Sequence, residues 1–442
     1  MSSPIVQTAY GTLQGVQIDD QVIVFKGVPY AQPPVGELRW KRPVQPKSWE
    51  GILSADHFMP KPIQGFKEDD HEYPNDPDIP ESEDCLYLNI WMPAQTAEAP
   101  FPVMYWVPGG GFMEGNPSTQ MCCGEEFARQ GVILVTLMHR TGALGFMSHP
   151  LLTDHNGQSG NWALYDLLAA LDWVHDNIAA FHGDPEKVTI AGQSSGCVAV
   201  QMLLQSPHAR GKFCRAIMQS GRAVESGDDM DTAESSLRKG VQFMQSMGAS
   251  TREEMYALDP QRLFSALKAA RLPRSEVKSE QDNPGRFLYH VDSEEMLALF
   301  DEAAYGGLNA DVPILIGSTA NDGGPANAVI RSNSCILWAE NQLKIGHNPS
   351  YVYLFARERP ADPLGASHTA EVAYQFGNLN TSSRAYTDND YALSRLMVSY
   401  WTNFVKNGDP NGENLPTWRP YTAEHRVRMR LDISSQEEPC CK

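Results

Sequence analysis

The sequence predicts an α/β protein: a central, mostly parallel sheet flanked by helices. Two observations carry that class. Short, continuous apolar runs recur at 103–107, 133–137, 188–191, 216–218, 312–316 and 351–355. Strands that are apolar throughout, without alternation, are buried on both faces, as in a parallel sheet. Between these runs lie helical stretches. In the clearest, Leu164, Leu167, Leu168, Leu171, Val174 and Ile178 fall on one face. Strands separated by helices imply a sheet with helices on both sides.

Before the first parallel strand, Gly11, Gly15, Gly27 and Gly36 punctuate short apolar runs, which favours hairpins over helix. Pro33 and Pro34 stiffen the turn at 30–36. Residues 65–83 carry many acids and prolines and few large apolar groups, so an exposed loop is expected there. Residues 223–309 hold only scattered glycines and read as inserted helices near the site entrance. No repeat or low-complexity linker divides the chain, so one domain over 1–442 is expected.

The 442 residues carry a net charge of −19, which disfavours nucleic acid and anionic membrane surfaces as partners. No apolar run is long enough for a membrane span. Met1-Ser2-Ser3-Pro4 lacks a basic segment and an apolar core, so a cytoplasmic chain is expected, although a leader already removed leaves the same picture. The eight cysteines show no metal-ligand spacing and no dense framework, and no cofactor is implied.

The stretch Lys187 to Gln205 carries the chemistry. Val188-Thr189-Ile190-Ala191 reads as a buried strand, Gly192-Gln193-Ser194-Ser195-Gly196 follows, and 197–204 reads as a buried helix. Strand, sharp turn and helix around G-x-S-x-G form a nucleophile elbow. The glycines leave room for the turn, and the helix N-terminus favours negative charge developing beside Ser194. Gly109-Gly110-Gly111 follows the strand 103–107 and suits backbone donors for an oxyanion, together with the N–H of Ser195. No lysine follows these glycines at phosphate-loop spacing.

A serine nucleophile needs a base and an acid that orients it, and in α/β-hydrolases these follow in the order serine, acid, histidine. Asp322 comes after the strand 312–316 and is followed by two glycines, whereas Asp311 lies at that strand's start. After the strand 351–355 comes His368. Order favours it, with His347 as the rival. Of the other histidines, His57, His71 and His425 read as surface residues, His175 lies on the polar face of its helix, and His182 falls in a Gly-Asp-Pro turn.

The sequence resembles the type-B carboxylesterases over most of its length. The resemblance rests on 25–31 with Pro33-Pro34-Val35-Gly36 and Leu38-Arg39-Trp40, and on 83–89. It continues with Gly160-Asn161-Trp162, Asp166 and Gly183-Asp184-Pro185 ahead of the elbow, then Tyr400-Trp401, Asn403-Phe404 and 408–412. It implies an α/β-hydrolase fold with Ser194, Asp322 and His368 as the triad and Gly110, Gly111 and Ser195 as the oxyanion hole. It further implies Ser220 as a residue supporting the acid, and Arg39–Glu83 and Arg140–Asp166 as structural ion pairs.

Several departures from the family pattern stand out. Gln193 replaces the usual glutamate of the elbow and Ser195 the alanine. Pro108 stands where histidine or tyrosine usually precedes the glycines. Asp322 replaces the usual glutamate. Cys85 lacks its usual upstream partner. Only 46 positions separate acid and histidine, fewer than is usual, so a wider, more open site is expected.

The resulting expectation is a serine carboxylesterase acting on neutral, small or bulky esters through an acyl-enzyme. The alternatives are a catalytically silent binding or adhesion homologue, discriminated by loss of triad residues, and an interfacial lipase. Oligomeric state is not legible.

Overall fold

The structure, a computed structural model, describes residues 3–64, 79–95, 97–221, 223–225, 230–273, 276–277 and 283–440. The strands are β1 (Ile5–Gln7), β2 (Thr12–Gln14), β3 (Val16–Gln17), β4 (Val22–Pro29), β5 (Ile52–Ser54), β6 (Tyr87–Pro93) and β7 (Phe101–Val107). They continue with β8 (Ile133–Leu137), β9 (Gly183–Gln193), β10 (Arg215–Gln219), β11 (Ile314–Thr319), β12 (Ser350–Phe355), β13 (Val427–Leu431) and β14 (Gln436–Pro439). An 11-stranded sheet runs in the order β14-β13-β12-β11-β10-β9-β7-β8-β6-β4-β3, and β1, β2 and β5 form a separate 3-stranded sheet. In the large sheet every pairing from β8 through β7, β9, β10, β11 and β12 to β13 is parallel, and its remaining pairings are antiparallel.

Alternation along each strand divides the interior into two cores. In β7, Val103, Tyr105 and Val107 face one way and Met104 and Trp106 the other. The first core receives Leu164, Leu167, Leu168 and Leu171 from the helix Trp162–Asn177 and Val200 and Leu203 from the helix Ser195–Gln205. The second receives Phe376 from the helix Ala370–Phe376, and Met397, Trp401 and Phe404 from the helix Asp388–Asn407. Burying one such side chain contributes roughly 1.5–3 kcal/mol, which explains why the central strands are apolar on both faces.

β11 runs three residues further than its apolar run suggested, through Gly317-Ser318-Thr319. A Cβ on Gly317 would lie 2.3 Å from the Tyr353 ring, so this glycine lets β11 pass an aromatic on β12 and does not start a loop. The expected loop at 65–83 falls largely outside the described residues; at its end, Glu83 is buried against Arg39. Within 223–309 the described helices are Ala233–Ser246, Arg252–Tyr256, Pro260–Ala270 and Phe300–Tyr305. Thr232, Thr251 and Asp259 cap the first three, each accepting a backbone N–H. Helix Pro260–Ala270 packs on Gly142–Phe146, and the Gly142 N–H donates to Phe112 O at 2.8 Å, beside the triple glycine.

Candidate active site

β9 ends at Gln193 and the next helix begins at Ser195, so Ser194 is the single residue of the turn. It holds φ 57° and ψ −121°, a conformation that costs on the order of 1–3 kcal/mol. Both flanking glycines are required by close approach. A Cβ on Gly192 would lie 2.3 Å from Gly196 O, and one on Gly196 only 2.0 Å from Val107 O. The Ser194 N–H donates to Gln219 O at 2.9 Å, tying the turn to β10.

The triple glycine lies directly against this turn. A Cβ on Gly109 would come within 3.0 Å of Ser194 Cβ and 2.8 Å of Gln193 Oε1. Gly110 (φ 133°) and Gly111 (φ 62°) adopt backbone that side chains disfavour, and Gly110 O accepts the N–H groups of Met113 and Glu114, each at 3.1 Å. The N–H of Ser195 is the first of its helix and has no acceptor within it.

Parallel strand direction brings the acid and the histidine to the same edge as Ser194. Asp322 follows the C-terminal end of β11 and His368 comes after that of β12. A short bridge ties their loops: Asn321 N–H donates to Ala366 O at 2.9 Å and its side-chain amide to Leu364 O at 2.7 Å. His368 Nδ1 then lies 2.7 Å from Asp322 Oδ1, and His368 Nε2 lies 2.8 Å from Ser194 Oγ. An ionised aspartate only accepts, so Nδ1 carries the proton and Nε2 is free to accept from the serine hydroxyl. Asp322 is wholly buried, whereas the His368 side chain keeps 31% of its surface exposed.

The Gln193 side chain is buried, its amide nitrogen 3.4 Å from His368 Nε2. Ser220 does not hydrogen-bond Asp322 directly; its hydroxyl donates to Glu371 Oε1 and its carbonyl accepts from Arg331 Nη1. Two charged residues near the site were missed in the sequence. Arg331, in the helix Pro325–Lys344, places Nε 3.1 Å from Asp322 Oδ1. Glu371, three residues past His368, is wholly buried. Its carboxyl is pushed up to about 7 by burial first and also by the Asp322 charge, against the Ser220 hydrogen bond and His368. Glu371 sits in the helix Ala370–Phe376, which begins only after His368, and no spacing singled it out. Nothing in the pattern around Arg331 marked it.

The ion pairs implied by resemblance lie outside this constellation. Arg39 grips Glu83 with two nitrogens at 2.6 Å, and Arg140 grips Asp166 at 2.7 and 2.8 Å. Each is a buried two-pronged contact that joins distant segments. Cys85 is a free, buried thiol, pushed well above its ordinary value by burial first. Among the described residues no helix is long and apolar enough to cross a membrane.

A mostly parallel sheet, a serine on a strained strand-to-helix turn, and acid and histidine delivered by later strands define the α/β-hydrolase class. The Carboxylesterase family pattern matches residues 2–344 and again 327–440. The chain belongs to that family and is a carboxylic-ester hydrolase. The two matched stretches overlap at residues 327–344, inside the helix Pro325–Lys344. It is 30% identical to para-nitrobenzyl esterase of Bacillus subtilis, covering 99% of this chain and 97% of that protein. It is 31% identical to carboxylesterase 4A of Bos taurus, covering 98% and 92%. That second alignment spans 518 positions, so the relative carries segments this chain lacks. Among solved structures, a PNB esterase superposes with TM-score 0.85 at 29% identity, covering 99% of this chain and 97% of that one.

Proposed function

We propose that the chain hydrolyses neutral, bulky carboxylic esters by two-step acyl transfer, with Ser194 as nucleophile, His368 as base and acid, and Asp322 as the group orienting it. The observation that carries this reading is the unbroken line from Asp322 through His368 to Ser194, with links of 2.7 and 2.8 Å. His368 Nε2 takes the Ser194 proton as Oγ attacks the ester carbonyl. The oxyanion meets the N–H groups of Gly110, Gly111 and Ser195; losing one such donor costs on the order of 10²–10³ in rate. His368 then protonates the leaving alcohol, and water repeats the sequence on the acyl-enzyme.

Three features support a bulky, neutral substrate. His368 is partly open to solvent. The segments that carry the acid and the histidine expose apolar side chains, with Val329 59% and Leu364 60% exposed. The relative named para-nitrobenzyl esterase takes an aromatic ester by its name.

The test is intact-protein mass spectrometry after treatment with a fluorophosphonate, with peptide mapping. A single adduct on Ser194, accompanied by matching loss of p-nitrophenyl ester hydrolysis, is expected. An adduct on Ser195, no adduct on folded protein, or full activity in Ser194→Ala each overturn the assignment.

A further inference from the structure

We propose that Arg331 is a positioning residue that lowers the pH at which His368 becomes competent as a base, by holding a fixed positive charge against Asp322 Oδ1, the oxygen that also meets His368 Nδ1. The inference rests on the reading of Ser194, His368 and Asp322 as the catalytic line.

Position in the helix is the first observation. Along Pro325–Lys344 the buried stripe is Ala328, Ser334, Cys335 and Trp338, while Val329 and Ile330 face outward. Arg331 falls on the buried stripe by the three- and four-residue spacing to Ala328, Ser334 and Cys335. A guanidinium on a core-facing stripe is rare unless it is paired. Here two of its nitrogens are engaged: Nε reaches Asp322 Oδ1 at 3.1 Å and Nη1 donates to the Ser220 carbonyl. Ser220 is itself held at φ 48°, so its carbonyl is a fixed anchor.

The second observation is which atom is shared. Asp322 Oδ1 accepts from His368 Nδ1 and faces Arg331 Nε, while Asp322 Oδ2 is buried without a hydrogen-bond partner among the described residues. Charge on Arg331 is therefore felt along the same contact that orients the imidazole. When His368 takes the serine proton, the imidazolium gains from Asp322 and loses to Arg331, so the guanidinium favours the neutral imidazole at rest. The other groups facing the pair are Glu371 from the helix Ala370–Phe376, the Gln193 amide and the Ser194 hydroxyl. Among the described residues, the buried Cys197 and Cys335 thiols, both pushed up chiefly by burial, also lie near the pair. Glu371 opposes Arg331 only where it is ionised; burial first pushes its carboxyl up to about 7, so below that pH it stays neutral and leaves the guanidinium unopposed.

The test is the second-order rate of fluorophosphonate modification of Ser194 between about pH 5 and pH 9, read by intact mass. Arg331→Met should move the acidic limb of that profile upward by roughly half to one pH unit and lower the plateau about tenfold, while Arg331→Lys returns the limb to the wild-type position. A purely structural arginine lowers the plateau without moving the limb. A limb in Arg331→Met that stays in place or moves down overturns the proposal, whatever happens to the plateau. If Arg331→Met does not fold, Arg331→Gln against Arg331→Lys gives the same comparison, and coincident limbs overturn it. Absence of any Ser194 adduct in the wild type would instead sink the catalytic line itself, so the two failures are distinguishable.

Discussion

The chain contains two aspartate–histidine pairs built on the same two strands, and only one faces the serine. Asp311 precedes β11 and His347 precedes β12; Asp322 follows β11 and His368 comes after β12. At the leading ends the approach is 4.0 Å, with the Asp311 side chain 45% exposed. Its Oδ1 is occupied by the backbone and side-chain N–H groups of Asn348 at 2.8 and 3.0 Å, and His347 Nδ1 lies 3.1 Å from Gln342 Oε1. At the trailing ends the approach is 2.7 Å and the aspartate is wholly buried. A six-residue strand separates the two ends by roughly 20 Å. Because β9, β10, β11 and β12 are parallel, every trailing end lies on the edge where β9 delivers Ser194. Residue type made both pairs candidates; strand direction chose between them.

The comparison breaks most decisively by substitution at each end. Asp322→Asn should lower kcat on a p-nitrophenyl ester by about 10³–10⁴, as expected when a buried acid no longer fixes the imidazole tautomer. Asp311→Asn and His347→Ala should each stay within about twofold. A tenfold loss from either leading-end variant would mean that strand direction had been given too much weight.

How much of this was legible in the sequence follows from where each constraint acts. The elbow was readable because its constraint is local: Gly192 and Gly196 are demanded by contacts within the turn and with β7, and both appear in the pentapeptide. Strand order and direction were enough to prefer Asp322 over Asp311 and His368 over His347. The surroundings of Asp322 were not legible, because Arg331 contacts the acid, and Glu371 joins Ser220 beside it, from helices whose docking no spacing encodes. Nor was the destination of Ser220 legible, since its hydroxyl turns to Glu371. Gly317 misled, because in sequence a glycine needed for packing beside Tyr353 looks the same as one that ends a strand. The C-terminal strands β13 and β14 and the antiparallel β6 went unassigned from pattern alone.

A third carboxylate sharpens the contrast between a solvated acid and a buried one. Glu371 is held neutral to about 7, against an ordinary value of 4.5, by burial first. Below the unfolded value both states are protonated and the group costs nothing. As pH rises from there, the unfolded chain releases the proton while the folded protein keeps it, so stability falls until ionisation is complete in both states. The loss is about 3 kcal/mol across that window. Glu371→Gln keeps a neutral group beside Ser220, so its melting temperature should gain on the wild type more at pH 8 than at pH 5. Equal differences at the two pH values would show that Glu371 ionises in the fold without penalty.

Gln193 offers the smallest and most local break. It lies in the elbow itself, and its amide nitrogen is 3.4 Å from His368 Nε2, the nitrogen that meets the Ser194 hydroxyl at 2.8 Å. A neutral amide there does little to choose between imidazole and imidazolium. Gln193→Glu would place a carboxylate beside the ring on the side opposite Asp322, so the imidazolium would be stabilised from both faces. The acidic limb of kcat/KM should then move up by about one pH unit, with the alkaline plateau nearly unchanged, because the added charge stabilises the inactive, protonated resting enzyme and so extends its range to higher pH. Burial limits the size of this effect, since Gln193 is almost wholly enclosed and part of the new charge would be neutralised by proton uptake. A limb that stays in place while the plateau falls would show that Gln193 acts by packing against Gly109, and that this edge of the sheet tolerates either neutral or charged neighbours at the histidine.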